Sequence, residues 1–330
     1  MKSDMAIINS GVRGSGISRY SADLSNILHA RLYSIIYDKH NTWYPGYKIK
    51  SSIPKIKGNY LLNIKFQDIL YKRRIKDIAG KYFVHYSSQE IKPFTNVGNS
   101  VTVHDTLGLK GGNKIIKNNL NKYKKFENVL TVSDHVKEEL YNMGFNRVKV
   151  IHPGIRNFYP RENRRDLRKK LNLPQDKFLL LNVSNTRPRK NLTFLKKFYE
   201  NLNNDYKLIT VGNDIGKNLS FNHINDKILN DIYNACDALI YPSTDEGFGY
   251  PMAEAFKTGL PVLASNIDTF QEIGSDAAFL ADLDTEDFLH GLKCISQNKE
   301  YYSEKALERS KLFDWDLYKN NVENYFASIT

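Results

Sequence analysis

Short apolar runs recur along the chain with longer amphipathic stretches between them. In the first half these runs are "AIINS" (6–10), "YFVHY" (82–86), "SVTVHD" (100–105) and "NVLTVS" (128–133). In the second they are "FLLLNVS" (178–184), "KLITVG" (207–212), "ALIYPS" (238–243) and "PVLAS" (261–265). Runs rich in Val, Ile and Leu, separated by helical segments, mark strands buried on both faces and joined by helical crossovers, so the pattern predicts two parallel sheets. After a strand "RVKVI" (147–151), the prolines, glycine and charges of "HPGIRNFYPRENRR" (152–165) interrupt the pattern. That break sets the expected domains at 1–154 and 155–312, with a closing segment at 313–330.

A chain of 330 residues is long enough for two cores, and 41% hydrophobic with 25% charged residues excludes a disordered or fibrous protein. Runs such as "FLLL" fall short of the roughly 18 apolar residues of a membrane-spanning helix, and no signal-peptide core opens the chain, which predicts a cytoplasmic protein. Cys236 and Cys294 are too few for a disulfide framework and lack metal-ligand spacing. The net charge of +12 is uneven: residues 1–154 carry +14 and residues 155–330 carry −2. Either the first half faces an anionic surface (phospholipid, nucleic acid or a phosphorylated acceptor) or its lysines are a solvated exterior. Within it, "YLLNIKFQDILYKRRIKDIAG" (60–80) places Leu62, Phe66, Ile69 and Leu70 on one helical face, with Arg73 and Arg74 near its end. This is a core-facing helix or a membrane-surface one.

In "STDEGFGYPMAEAF" (243–256), a strand runs into a glycine loop and then a helix with Pro251 at its start. Gly259 and Pro261 end that helix and start the next strand. Glu246 precedes the helix and Glu254 falls in its expected first turn. Gly247 and Gly249 bare the backbone to oxygen-rich ligands. Two carboxylates so placed can accept hydrogen bonds from paired sugar hydroxyls. They can equally be a helix-dipole partner and a solvated loop residue, or a hydrolase pair. Elsewhere, Gly14, Gly16 and Asp38 imitate a dinucleotide fingerprint, with Arg19 at the third glycine position. The basic run "RRDLRKK" reads as a solvated helix face and Ser133 as a helix cap. His104–Asp105 reads as a strand-end pair, packed or capping. Two D-x-D patterns lie at 282–284 and 314–316.

"PSTDEGFGYPMAEAFKTGLPVLAS" closely resembles the donor-binding signature of family-4 retaining glycosyltransferases: a glutamate, seven residues and a second glutamate, with the E-G-F-G run and the G-x-P-V turn. The resemblance covers nearly the whole chain and is strongest from 178 to 283. It implies a GT-B fold, in which two Rossmann-like parallel-sheet domains face a central cleft. The acceptor-binding domain would be 1–154 and the nucleotide-sugar domain 155–312, with 313–330 as a helix returning to the first. It also implies that Glu246 contacts the transferred sugar, helped by backbone around Gly247, Phe248 and Gly249, and that Glu254 holds ribose hydroxyls.

In "VSNTRPRKNL" (183–192), Arg189 and Lys190 would neutralise a diphosphate leaving group. Arg187 stands in for an arginine the family often carries where this chain has Ser184 and Asn185. Gly16, Ile17, Arg19 and Tyr20 align with a G-I-G-R-Y loop, with Ser18 in place of a glycine, which makes Gly16 a donor-binding candidate. His104 would lie beside the donor sugar, and "QEI" (271–273) with Glu272 resembles a donor-side element. No obligatory metal or other cofactor is implied. The expected activity is transfer of a sugar from a nucleotide-diphosphate sugar to an acceptor hydroxyl, with retention. The acceptor is anionic or polar, at a membrane surface engaged by the basic first domain, and the protein is then peripheral there. The alternatives are a basic nucleic-acid-binding protein and a nicotinamide-dependent dehydrogenase.

Overall fold

All strand pairings recorded in the computed structural model are parallel. The structure describes residues 5–9, 16–34, 73, 75–93, 99–161, 163–216 and 218–330. The chain divides into two units, Met1–Pro153 with Tyr318–Thr330, and Gly154–Leu317.

In the first unit, β1 (Met5–Asn9), β2 (Arg31–Ser34), β3 (Phe83–Tyr86), β4 (Ser100–Val103), β5 (Asn128–Thr131) and β6 (Val148–Val150) form a sheet of order β2-β1-β3-β4-β5-β6. β1 and β4 are buried along their whole length, as continuous apolar runs require. Helices α1 (Gly16–Ile27), α2 (Lys114–Tyr123) and α3 (Asp134–Asn142) follow strands, and Leu120, Tyr123, Val136 and Leu140 join Ala6, Val84, Val101 and Val129 in one core. Ser133 caps α3, as its place in the sequence suggests, by accepting from Val136 N at 3.3 Å. The segment with Leu62, Phe66, Ile69 and Leu70, together with Arg74, Gly14 and Asp38, lies outside the described residues; Arg73 is exposed.

The second unit opens with α4 (Arg164–Lys170). Its sheet has the order β12-β11-β10-β7-β8-β9, built from β7 (Phe178–Val183), β8 (Tyr206–Val211), β9 (Leu219–Phe221), β10 (Ala238–Tyr241), β11 (Val262–Ser265) and β12 (Ala278–Ala281). Counted within the unit this is 3-2-1-4-5-6, the dinucleotide-fold order. Helices α5 (Leu192–Glu200), α6 (Asp226–Ala235), α7 (Tyr250–Thr258), α8 (Asp268–Gly274), α9 (Thr285–Gln297) and α10 (Lys299–Arg309) complete it. Leu195, Phe198, Phe288, Leu292 and Ile295 pack on Leu180, Leu208, Ile240 and Leu263.

The last helix, α11 (Trp315–Ile329), starts in the second unit. The expected boundary at 313 therefore moves to Tyr318: Phe313 lies 5.5 Å from the Phe248 ring and Arg156 lies 4.9 Å over Trp315.

In the basic run of α4, Arg164, Arg165, Lys169 and Lys170 are exposed, as a solvated face requires, and Arg168 is the exception. Asp237, which ends the turn before β10, accepts from Arg168 Nη2 at 2.6 Å, Arg164 Nη1 at 2.7 Å and Leu179 N at 2.7 Å, and pairs with Lys299. Arg168 is itself buried, and Lys170 pairs with Asp231 at 2.7 Å. This one carboxylate ties α4 and α10 to the centre of the sheet. Burial alone would raise its pKa, but Lys299, the Leu179 N–H and Arg168 outweigh it and hold the pKa below the ordinary carboxylate value. Its stabilising effect is therefore present above the unfolded pKa and lost as pH falls through the lowered one. Asp237→Ala should cost about 3 kcal/mol, the lower end for breaking a buried pair because Arg164 and Lys299 still reach water. Chemical denaturation checks this, and a loss under about 1 kcal/mol would show the hub to be dispensable.

Candidate functional site

The order of the second sheet reverses between β7 and β10. From β7 the chain steps outward to β8 and β9, and from β10 outward to β11 and β12. Loops leaving neighbouring strands at such a reversal run apart, so a crevice opens beyond their carboxyl ends. The loop after β7 carries Arg187, Arg189 and Lys190, and the loop after β10 carries Glu246, Gly247, Phe248 and Gly249. Chain topology thus brings the predicted cations and the first predicted glutamate to one place, although Lys190 and Glu246 are 56 residues apart.

Glu246 is buried and fully engaged. Its Oε1 accepts from Lys190 Nζ, from Tyr241 OH at 2.9 Å and from Ser243 Oγ at 2.9 Å, and Oε2 pairs with Arg189 Nη1. Arg189 also donates to Asp245 O at 3.1 Å, Thr244 N donates to Arg189 O at 2.8 Å, and Thr269 Oγ1 of α8 donates to Glu246 O at 2.6 Å. Burial works against the Glu246 carboxylate, but Lys190 and Arg189 more than offset it and hold its pKa below the usual range. At Lys190 burial is again the largest influence and draws the pKa down, with Glu246 opposing it and Arg189 and Arg187 adding to it. Two cations against one carboxylate leave the cluster net positive, so it still favours an incoming anion. Lys190 belongs to a 3₁₀ turn, Pro188–Lys190, ahead of α5 rather than to the helix itself, and Arg187 is exposed.

Glu254 is the fifth residue of α7, so it lies beyond the first turn where sequence reading puts it, and pairing with the helix end does not explain it. It is buried and accepts from Tyr233 OH at 2.8 Å. Its charge also helps raise the Tyr241 pKa, after burial and Glu246, which places both carboxylates in one neighbourhood. The Phe248 ring packs on Tyr250 and Phe313. Gly249 caps α7 with φ +95°, and a Cβ there would come within 2.9 Å of the Phe270 ring. Pro251 is the second residue of α7, and Gly259 ends the helix at φ +71°.

The D-x-D aspartates are already employed. Asp284 accepts from Glu286 N and Asp287 N at the start of α9, and Asp314 accepts from Asp316 N and pairs with Lys257. Glu272 belongs to α8, and its backbone carbonyl accepts from Arg309.

In the first unit, the strand order reverses between β1 and β3. Gly16 is the first residue of α1, which follows β1. Ser21 of α1 donates to Ser87 Oγ at 2.7 Å, and Ser87 Oγ donates to Ile8 O at 2.9 Å. His104, the residue after β4, is buried with Nε2 donating to Ser87 O at 2.8 Å and its ring edge-on to Tyr20 at 4.7 Å. Its backbone N donates to Gln89 Oε1 at 3.0 Å, and Asp105 Oδ1 accepts from Leu107 N, the capping role open to it from sequence. Burial lowers the His104 pKa to about 4, partly opposed by the Ser87 contact, so the ring is neutral.

Sequence reading missed Tyr241, Ser243, Thr269 and Tyr233, which fix the two glutamates. "ALIYPS" marks Tyr241 as the end of a strand, but nothing local shows that its hydroxyl meets a lysine from the loop after β7.

Residues 163–306 match the family model described as Glycosyl transferases group 1. Over 96% of its length the chain is 23% identical to the O-antigen chain mannosyltransferase RfbU of Salmonella typhimurium, 97% of which is covered. Over 28% of its length it is 33% identical to the O-antigen chain mannosyltransferase B of Escherichia coli, 26% of which is covered. Among solved structures, Anabaena Alr3699/HepE in complex with UDP and glucose superposes with a TM-score of 0.82 at 15% identity, over 98% of this chain and 99% of that one. The sucrose-phosphate synthase from Thermosynechococcus elongatus gives 0.79 at 18% identity, over 98% of each. Among the described residues, no helix is long and apolar enough to cross a membrane.

His104 should titrate with a midpoint near 4, followed by NMR of its imidazole, and stay neutral from pH 5 upward. An ordinary midpoint near 6.5 would show that the ring is solvated.

Proposed function

Because the chain is a glycosyltransferase of the hexosyl type, carrying the group 1 domain on a GT-B fold, we propose that it transfers a hexose from a nucleotide-diphosphate sugar with retention of configuration. The carrying observation is the assembly of Arg189, Lys190 and buried Glu246 by two loops at the strand-order reversal. A net positive cluster with a carboxylate suits a ligand that is anionic at one end and rich in hydroxyls at the other.

In this reading the diphosphate lies against Arg189 and Lys190, with Arg187 adding positive field from the same loop. The backbone of Gly247, Phe248 and Gly249 and the start of α7 approach the ligand, Glu246 accepts from sugar hydroxyls, and Glu254 accepts from ribose. As the bond from the anomeric carbon to the phosphate oxygen breaks, its electron pair leaves with the nucleoside diphosphate. The acceptor oxygen bonds to that carbon from the same face, and its proton passes to the departing phosphate oxygen. The cations stabilise the charge that develops there. This reading calls for no obligatory metal. Gly16 and neutral His104 are the substrate-binding candidates of the first unit.

Likeness to the O-antigen mannosyltransferases supports mannose as the sugar and a hydroxyl of a surface-polysaccharide chain as the acceptor. The complex of the Anabaena protein with UDP and glucose supports a nucleotide-diphosphate donor. The +14 charge of residues 1–154 supports an anionic membrane surface as the place where the acceptor is met.

A thermal-shift panel of nucleotide-diphosphate hexoses, mannose and glucose donors among them, should give at least one clear rise in melting temperature, because a ligand of the folded state alone stabilises it. A panel with no shift would sink the donor assignment. Lys190→Ala should cost about 2–4 kcal/mol of transition-state stabilisation in kcat/KM, the range for removing one preorganised charge stabiliser. Near-wild-type turnover would take Lys190 out of the mechanism. Flotation with anionic liposomes should carry the protein upward at low salt and not at high salt. Failure to float at low salt would argue against membrane docking.

A further inference from the structure

The two oxygens of Glu246 are held unequally. Oε1 is taken by three donors: Lys190 Nζ, Tyr241 OH at 2.9 Å and Ser243 Oγ at 2.9 Å. Oε2 takes Arg189. The two cations differ as well, since the Lys190 side chain is 8% exposed and that of Arg189 22%.

Tyr241 stands where Lys190 and Glu246 meet. Its hydroxyl donates its single proton to Glu246 Oε1 and accepts from Lys190 Nζ at 3.1 Å. The Lys190 ammonium also lies 5.0 Å from the centre of the Tyr241 ring. That ring is the last residue of β10, is buried, and packs 4.8 Å from Phe270, which in turn fills the space left by Gly249. The hydroxyl therefore has little freedom to move away from the ion pair.

We propose that Tyr241 is a positioning residue for the donor site: its hydroxyl locks Lys190 to one oxygen of Glu246, which leaves the other oxygen and Arg189 as the pair that opens to a ligand. When donor binds, Arg189 turns from Glu246 to the diphosphate, and the released Oε2 accepts from a sugar hydroxyl. Lys190 stays on Oε1 and keeps the carboxylate ionised throughout, adding its positive field to the phosphates from a fixed place. This inference rests on the donor reading above and divides the labour within it.

Tyr241→Phe keeps the ring and removes the hydroxyl. The probes are UDP, GDP, UDP-glucose and GDP-mannose, measured by titration calorimetry on the full chain, with transfer kinetics for whichever sugar nucleotide is turned over. The nucleoside diphosphate should bind within about threefold of wild type, since both cations remain. kcat should fall about tenfold or more with little change in KM, the scale of one hydrogen bond to a charged group. The acid limb of the kcat–pH profile should move to higher pH, because a carboxylate that loses a donor is more easily protonated. A purely structural loss would not move that limb.

Ser243→Ala, which removes the other neutral donor from Oε1, should shift the limb in the same direction. It serves as the reading if Tyr241→Phe does not fold. If wild type binds none of the four probes, the donor assignment itself is wrong. If wild type binds and turns over donor while neither variant moves the limb, the site stands and the role given to Tyr241 falls.

Discussion

The second unit is organised around the need to keep one carboxylate ionised away from water. An isolated buried charge is prohibitively costly, so Glu246 exists in this position only because partners arrive from several directions. Lys190 and Arg189 come from the loop after β7, Tyr241 and Ser243 from the end of β10, and Thr269 holds the backbone from α8. They converge where the sheet reverses its order and the loops would otherwise diverge. The same charge cluster thus closes a structural gap and carries a net positive charge there.

The eight apolar runs of the sequence all fall on strands, because parallel strands buried on both faces need unbroken hydrophobicity. β2, β9 and β12 escaped notice; "RLYS" of β2 is four residues opening on an arginine, and the other two escaped for reasons of composition. "LSF" has only three residues with a serine at its centre, and "AFLA" is half alanine, a weak strand former; both lie at the edges of their sheet, where burial demands less. Capping was legible at Ser133 and Gly259 because a cap is a local matter. Glu254 falls just past the first turn rather than within it because α7 begins at Tyr250, one residue before the Pro251 that marks its start in the sequence.

The candidate site was legible in its charged members and its glycines, and illegible in the neutral hydroxyls that hold the charges. Glu246, Arg189 and Lys190 announce themselves as charges beside glycines and proline after apolar runs. Tyr241, Ser243 and Tyr233 are ordinary residues of a strand end and a helix, and acquire roles only when the crossovers bring distant residues together. Arg168 of α4 shows the converse: its charge was visible within a largely exposed basic run, but not its own burial against Asp237. Among the described residues at its own strand-order reversal, the first unit presents serines and neutral imidazoles. His85 bridges Ser100 and Thr102 with its pKa pulled to about 3 by burial and then by His104.

Both outer strands of the second sheet are short, three residues in β9 and four in β12. A long flat border would offer a ladder of backbone groups onto which another chain could zip. Brief borders of this kind give a neighbouring molecule few rungs to hold.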